Sequence, residues 1–368
     1  MLLAPKMTGI CIPKRLIPFV LWMLLSPLIY CFTDWLVVSS MVYKFIGVSG
    51  FWLTIAFAYR LIDWNLAVKY YEKCVVLFSI IFLVQLIFYF TVNLNLSLII
   101  PSFPLADASS SDYYVNMQSS LQRQSSVFLE PAHFSVYISI FLILALRKSK
   151  GLAANLKSVL FITIVMLLTR SGNSYLSLII IYTLYFIMNI KTVFVNKKGL
   201  IFILGCLFFA TPMYNRIRNV EEFNNSFSRV NELQSQGDRN TSGFERVYRG
   251  YYYYEDMDLF AKVVGVGQGN IEAYTNSHML GQYGNLDTSN DSFYFNGIQQ
   301  ILIYGGIIGL LLFLWGIFPY IKHPESCITI LLYLAICFIS STYNSSTMLM
   351  FLLFADAFKR NCIKITSL

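Results

Sequence analysis

Four arginines and four proton-carrying groups stand out in a chain otherwise poor in charge. The arginines are Arg123, Arg170, Arg246 and Arg249; the others are Glu130, His133, His278 and Asp291. A guanidinium is planar, always charged and forked, so it grips phosphate and carboxylate oxygens two at a time. Arg246 and Arg249 stand three apart, which places them on one face of a helix. Glu130 and His133 flank Pro131 in the run Arg123-Gln124-Ser125-Ser126-Val127-Phe128-Leu129-Glu130-Pro131-Ala132-His133-Phe134. Proline suits the first helical position, where its missing N–H costs nothing. Glu130 then falls at the N-cap and His133 in the first turn, where the helix dipole favours a carboxylate. Two readings stay open there: a well-capped helix, or a carboxylate and an imidazole presented together for chemistry. Arg170, in Thr169-Arg170-Ser171-Gly172, either lies at the end of an apolar segment with its head among lipid headgroups or joins the other arginines.

The elements that must position these groups follow from composition. The chain has 368 residues, 57% hydrophobic, 17% aromatic and 12% charged, with mean hydropathy +0.60. A soluble domain carries about 25% charged residues. Apolar runs recur at about 16–33, 36–59, 74–92, 131–146, 153–169, 173–190, 199–213, 297–320, 326–341 and 346–358. Most approach the roughly 20 residues that cross a hydrocarbon core. The fold class is therefore all-α and polytopic, with about ten transmembrane helices in contact with membrane lipids. The net charge of +8 speaks of topology rather than nucleic acid, and no nucleic-acid partner is expected. The seven cysteines lie in or beside apolar segments and read as small apolar fillers. No cluster has metal-ligand spacing, so neither a metal nor another cofactor is expected.

Lysine and arginine set the orientation. Seventeen of the 27 basic residues fall on alternate connections: Lys6, Lys14, Arg15; Arg60, Lys69, Lys73; Arg147, Lys148, Lys150, Lys157; Lys191, Lys197, Lys198; Lys322; Lys359, Arg360, Lys364. The opposite short connections hold only Arg123 and Arg170. Both termini are then cytoplasmic, as in a multi-pass protein of a bacterial inner membrane. The expected organisation is an N-terminal bundle over 1–213 with an external excursion at 93–130, a large external loop over 214–291, and a C-terminal bundle over 292–368.

The large loop carries structure of its own. Ile217, Val220, Phe223, Phe227, Val230 and Leu233 recur at spacings of three and four, which predicts an amphipathic helix over 216–234. A second helix is predicted to open at Ser242-Gly243-Phe244-Glu245, a capping-box spacing, and to run to about Val264. Tyr251 to Tyr254 either stack on sugar rings or sit at the membrane interface. Gly265-Val266-Gly267-Gln268-Gly269 lacks the spacing and preceding strand of a phosphate loop, and reads as a helix stop and turn. Gly305, Gly306 and Gly309 predict a small-residue face for close helix packing in the span that follows.

Taken together these residues resemble the O-antigen polymerase (Wzy) family, within the superfamily that also holds the O-antigen ligases. The resemblance rests on Arg123 to Phe134, on Arg170-Ser171-Gly172, and on Arg246-x-x-Arg249 leading through Asp258 to the 265–269 glycines. Its last part is Asn290-Asp291-Ser292-Phe293 followed by Tyr304-Gly305-Gly306-Ile307-Ile308-Gly309. It implies a GT-C-like membrane fold with a partly helical external loop. It also implies metal-independent transfer of a growing glycan from an undecaprenyl-diphosphate carrier to the non-reducing end of a new lipid-linked unit, with a chain-length regulator protein as a partner. Arg123, Arg170, Arg246 and Arg249 would then bind the diphosphate and offset charge on the leaving group. Glu130, His133, Asp291 and His278 are the candidates to take the acceptor proton. Many relatives carry His-Asn before the last glycine-rich span, where this chain has Asn290-Asp291. Two other readings are a ligase and a lipid-linked oligosaccharide transporter. A transporter places ionisable residues inside its spans, and only Lys44 and Asp356 come near that.

The basic bias makes a direct prediction. Reporter fusions at Asp112 and Gln236 should report outside the cytoplasm, and fusions at Lys150, Lys198 and the C-terminus inside. A cytoplasmic signal at Gln236 would reverse the orientation.

Overall fold

The computed structural model describes residues 14–33, 38–93, 96, 124–128, 130–148, 156–189, 247–278, 295–339, 343–360 and 362–363. The segments predicted as a span at 199–213, an amphipathic helix at 216–234 and a capping box at 242–245 lie outside them, as do Arg123, Arg246 and Asp291. Among the described residues the regular elements are helical. They are α1 (Ile17–Leu25, continued by a 3-10 turn Ser26–Tyr30), α2 (Val38–Leu61), α3 (Trp64–Val92), α4 (Pro131–Lys148), α5 (Leu156–Leu168) and α6 (Gly172–Met188). Then come the short α7 (Arg249–Asp256), α8 (Leu259–Val264) and α9 (Ile271–Ser277), followed by α10 (Gly297–Ile317), α11 (Pro324–Ile339) and α12 (Ser346–Lys359). The nine apolar runs that fall on described residues each carry a helix. Among the described residues three stretches are, by length and composition, long and apolar enough to cross a membrane: Val38–Ile55, Trp64–Val92 and Gly297–Lys322.

α4 is the centre of the bundle. Phe134, Ile138, Ile140 and Leu142 are fully buried, and apolar burial continues all round the helix to Leu146, as expected of a helix surrounded by others. α3, α5, α6, α11 and α12 pack around it. α3 begins ten residues earlier than the apolar run, because Asp63 caps it by accepting from Asn65 N and Leu66 N.

One end of the bundle is ionic. Arg147 Nε lies 3.3 Å from Glu325, and Arg360 Nε 2.7 Å from the buried Asp356. Tyr320 donates to Asp356 Oδ1 at 3.1 Å. Arg15 stands over Trp315 and Lys359 over Tyr320. Several of the basic groups that the sequence put on one side, at residues 15, 147, 322 and 359–360, thus share one end.

α10 departs from expectation. It is predicted as one span, yet Gly306 sits at φ 65°, ψ −168° and breaks it. The freed carbonyls are taken up by other segments. Val266 N donates to Ile303 O at 2.9 Å and Gly267 N to Tyr304 O at 3.0 Å, while Trp22 Nε1 donates to Gly305 O at 2.7 Å. The glycine segment after α8 therefore does more than stop a helix: it is buried and replaces the missing rungs of α10. Gly265 (φ 85°) and Gly306 face each other backbone to backbone, and a Cβ on either would overlap the other segment's peptide atoms. Gly305 and Gly309 of the predicted small face do close on Trp22 and Met23 of α1, and Gly316 extends the contact to Leu16.

Gly306→Ala or Gly265→Ala should cost about 3 kcal/mol or more, from overlap plus positive φ. Gly47→Ala and Gly50→Ala on α2, where nothing lies within 4 Å of the added carbon, should move stability by about 1 kcal/mol or less. Thermal midpoints of the detergent-purified variants decide this.

Candidate functional site

The end opposite the ionic cluster gathers the described candidate residues. α4 and α6 run parallel, since Tyr185 near the end of α6 reaches Leu146 O near the end of α4 at 3.4 Å. Their starts, with Glu130 and His133 on one and Arg170 before the other, therefore share an end. Glu325, in the first turn of α11, lies beside Arg147, so the finish of α11 lies at that same end, where Phe338 meets Tyr251 of α7 at 6.4 Å. α7 carries Arg249 as its first residue and rests on the start of α10, with Gly250 against the Gln299 side chain.

Each group is held by local chemistry. Glu130 occupies the cap position of α4, its carbonyl accepting from His133 N and Phe134 N. Arg170 is half-buried at φ 51° in the turn between α5 and α6, a left-handed conformation uncommon outside glycine. Thr169 and Ser171 beside it are buried, and Thr169 Oγ1 and Ser174 Oγ both donate to Met166 O. Arg249 is also half-buried. A capping box on α10 steadies the base beneath it: Gln299 N donates to Asn296 Oδ1 at 2.9 Å, and Asn296 N to Gln299 Oε1 at 3.1 Å. Gln299 Nε2 also donates to Val247 O at 2.8 Å. The Asn-x-x-Gln spacing was the available signal for this box.

The predicted helix from Ser242 to Val264 is interrupted at Met257–Asp258, and Asp258 caps α8 through Ala261 N at 2.9 Å. The tyrosine run is divided between environments. Tyr253 is buried against Phe295 and bonded to Thr275 Oγ1 at 2.7 Å, so it is core rather than a sugar platform. Tyr252 is exposed, and Tyr254 donates to Lys262 O.

Asp258 also organises His278. Tyr274 OH donates to Asp258 Oδ2 at 2.6 Å, and the His278 ring stacks on Tyr274 at 4.1 Å. His278 Nδ1 lies 3.0 Å from Tyr274 O and 2.7 Å from Ser277 Oγ. Burial acts to raise the Asp258 pKa, but hydrogen bonds from Tyr274, Ala261 and Phe260 and the charge of His278 outweigh it. The carboxylate is held below its ordinary value and remains an anion. Sequence reasoning named His278 but not the Tyr274–Asp258 support, since those partners lie four and twenty positions back.

Another group was missed. Gln124 is 1% exposed, and neither Oε1 nor Nε2 finds a hydrogen-bond partner among the described residues. Each unmet buried polar atom costs about 1–3 kcal/mol.

Residues 158–314 match a family model described as O-antigen ligase. The match supports the O-antigen polymerase/ligase superfamily. It spans the Arg170 turn, α7 to α9 and the glycine contact with α10, much of what forms the polar end of the bundle. No curated protein matches the chain.

Arg170→Gly separates strain from function. Glycine relieves the positive φ, so the thermal midpoint should hold or rise. Loss of the guanidinium should cut glycan transfer at least tenfold, and Arg170→Lys should not restore it, because ammonium lacks the fork. Wild-type transfer by Arg170→Gly would leave Arg170 as a surface residue.

Proposed function

We propose that the protein is an O-antigen polymerase, a metal-independent glycosyltransferase of a bacterial inner membrane that joins undecaprenyl-diphosphate-linked repeat units. In this reading the chain crosses the membrane about ten times, with both termini cytoplasmic and the polar end periplasmic. The observation that carries it is the gathering of Arg170, Arg249, Glu130, His133 and the Asp258–Tyr274–His278 array at the bundle end opposite the ionic cluster.

The chemistry asks little beyond positioning and charge. The carrier bond already holds the energy for transfer. Arg123, Arg170, Arg246 and Arg249 receive the diphosphate, and their donors gain strength as negative charge grows on the departing phosphate oxygen. A base takes the proton of the acceptor hydroxyl as that oxygen attacks the anomeric carbon. Among Glu130, His133, Asp291 and His278, the stacked and hydrogen-bonded His278 is the best supported. Its ring is held by stacking on Tyr274 and by the Nδ1 contacts to Tyr274 O and Ser277 Oγ.

A second reading, O-antigen ligase, is favoured by the description of the matching family model. The two share the donor and differ in acceptor: a further lipid-linked unit or the lipid A core. A deletion strain tells them apart. Loss of a polymerase should leave lipopolysaccharide capped with a single repeat unit and no ladder. Bare core with accumulated lipid-linked polymer would identify a ligase. Purified protein given lipid-linked units, chelator and no nucleotide should build longer glycans if it is the polymerase.

A further inference from the structure

Three helix ends meet at the ionic end of the bundle and gather cations that its acids do not neutralise. Arg15 lies just before α1, Trp315 and Tyr320 lie at the close of α10 and its following 3-10 turn, and Lys359 and Arg360 end α12. The Arg15 guanidinium stands over the Trp315 ring at 5.6 Å, and the Lys359 ammonium over Tyr320 at 4.8 Å. Gly316 lets α10 close on Leu16 and on the Arg15 backbone, so Arg15 is carried on a packed corner.

The acids near this corner are engaged elsewhere. Glu325 pairs with Arg147. Asp356 is buried, with Arg360 Nε 2.7 Å from Oδ2 and the Tyr320 hydroxyl donating to Oδ1. Among the described residues neither Arg15 nor Lys359 forms an ion pair with a carboxylate. The charges of Arg15 and Arg360 both bear on the Lys359 ammonium, and Asp356 offsets them only in part. An anion arriving among these cations would relieve their mutual repulsion.

An apolar face runs from the corner toward the middle of the bundle. On α10 and its 3-10 turn Ile307, Leu311, Leu314, Trp315 and Phe318 are exposed, at spacings that form one stripe. From Ile307 to Phe318 the stripe is about 16 Å long, close to the roughly 15 Å of one leaflet of a hydrocarbon core. α1 packs beside it through Trp22 and Leu16 and exposes a parallel stripe of Ile17, Leu21 and Leu25. Two apolar stripes one leaflet deep, headed by cations, match a two-chain lipid with an anionic headgroup. A free phosphate would leave the stripes unused, and a zwitterionic headgroup would bring a further cation to the cluster.

We infer that Arg15 and Lys359 hold the phosphodiester of an anionic phospholipid whose acyl chains lie along the α1 and α10 stripes. This site is at the bundle end opposite the candidate glycan-transfer residues. The bound lipid ties together the ends of α1, α10 and α12. It requires only that the chain sits in a membrane, whichever acceptor the glycan chemistry uses.

Full-length protein in detergent is titrated with dioleoyl phosphatidylglycerol or dioleoyl phosphatidylcholine, which share their chains and differ in headgroup charge. Bound lipid is read by native mass spectrometry. Wild type should bind phosphatidylglycerol at least about tenfold more tightly, and its thermal midpoint should rise as it binds. Arg15→Gln/Lys359→Gln should keep its midpoint in detergent alone and bind the two lipids alike. Lys69→Gln/Lys73→Gln, which removes the same charge from exposed positions on α3, should leave the preference intact. If the first double variant fails to accumulate, Lys359→Gln alone should lower the preference at least about threefold. Glycerol phosphate, a headgroup without chains, should not displace the lipid at equal concentration; displacement would mean that the cations read free phosphate and would overturn the inference. Equal binding of the two lipids by wild type overturns it, as does an unchanged preference in Arg15→Gln/Lys359→Gln or an equal loss in both double variants.

Discussion

The contact on which the structure most depends is between two glycines. Gly265 and Gly306 lie so close that neither peptide leaves room for a Cβ. The contact exists because α10 is broken, and a broken helix deep in a bundle leaves carbonyls that water cannot reach. Such backbone is tolerated only where protein supplies the missing partners. Val266 N, Gly267 N and the Trp22 indole supply them. Neighbouring bonds fix the segment further: Tyr30 OH to Gly265 O at 2.9 Å, Ser40 Oγ to Gly269 O at 2.8 Å, and Gln268 to the Tyr343 hydroxyl. Chain segments near residues 22–40, 265–270, 303–306 and 343 are thereby joined at one place.

That junction gives the polar end a floor. α8 runs into Gly265, and α9 leaves just after Gly269. A small second core of Tyr253, Met257, Ala261, Val266, Ile271, Tyr274, Phe295 and Ile303 ties α7, α8 and α9 to the start of α10. Tyr274 belongs both to this core and to the Asp258–His278 array, so the imidazole is positioned by the same packing that closes the glycine contact. Geometry at the site is set by buried apolar contacts, and charge is added at the edge.

The two ends of the bundle hold their charged groups on different supports. At one, acids and bases meet directly, as in Arg147 with Glu325 and Arg360 with Asp356. At the other, Arg170 and Arg249 are half-buried on turns and first turns braced by neutral hydrogen bonds. Arg249 stands at a helix start, where the dipole disfavours a cation, and Arg170 bears a backbone conformation that favours glycine. Both positions cost stability.

The sequence by itself determined the helical class, the apolar runs and the one-sided distribution of basic residues, because burial in lipid demands long apolar helices and insertion sorts lysine and arginine locally along the chain. It also placed Glu130 at a helix start through Pro131, a local steric effect. The tertiary structure alone decided the rest. The break in α10 is invisible to hydropathy, since Gly306 is as compatible with a packed span as with a kink, and only the arrival of Gly265 makes the kink stable. The split at Asp258 depended on Tyr274, sixteen residues away. Ser126 read as one more polar residue in a polar stretch until Gln85, on a different helix, met both its N–H and its carbonyl. Local periodicity records which face of an element is apolar. It does not record which distant backbone that face will meet, and that meeting decides where the site groups stand.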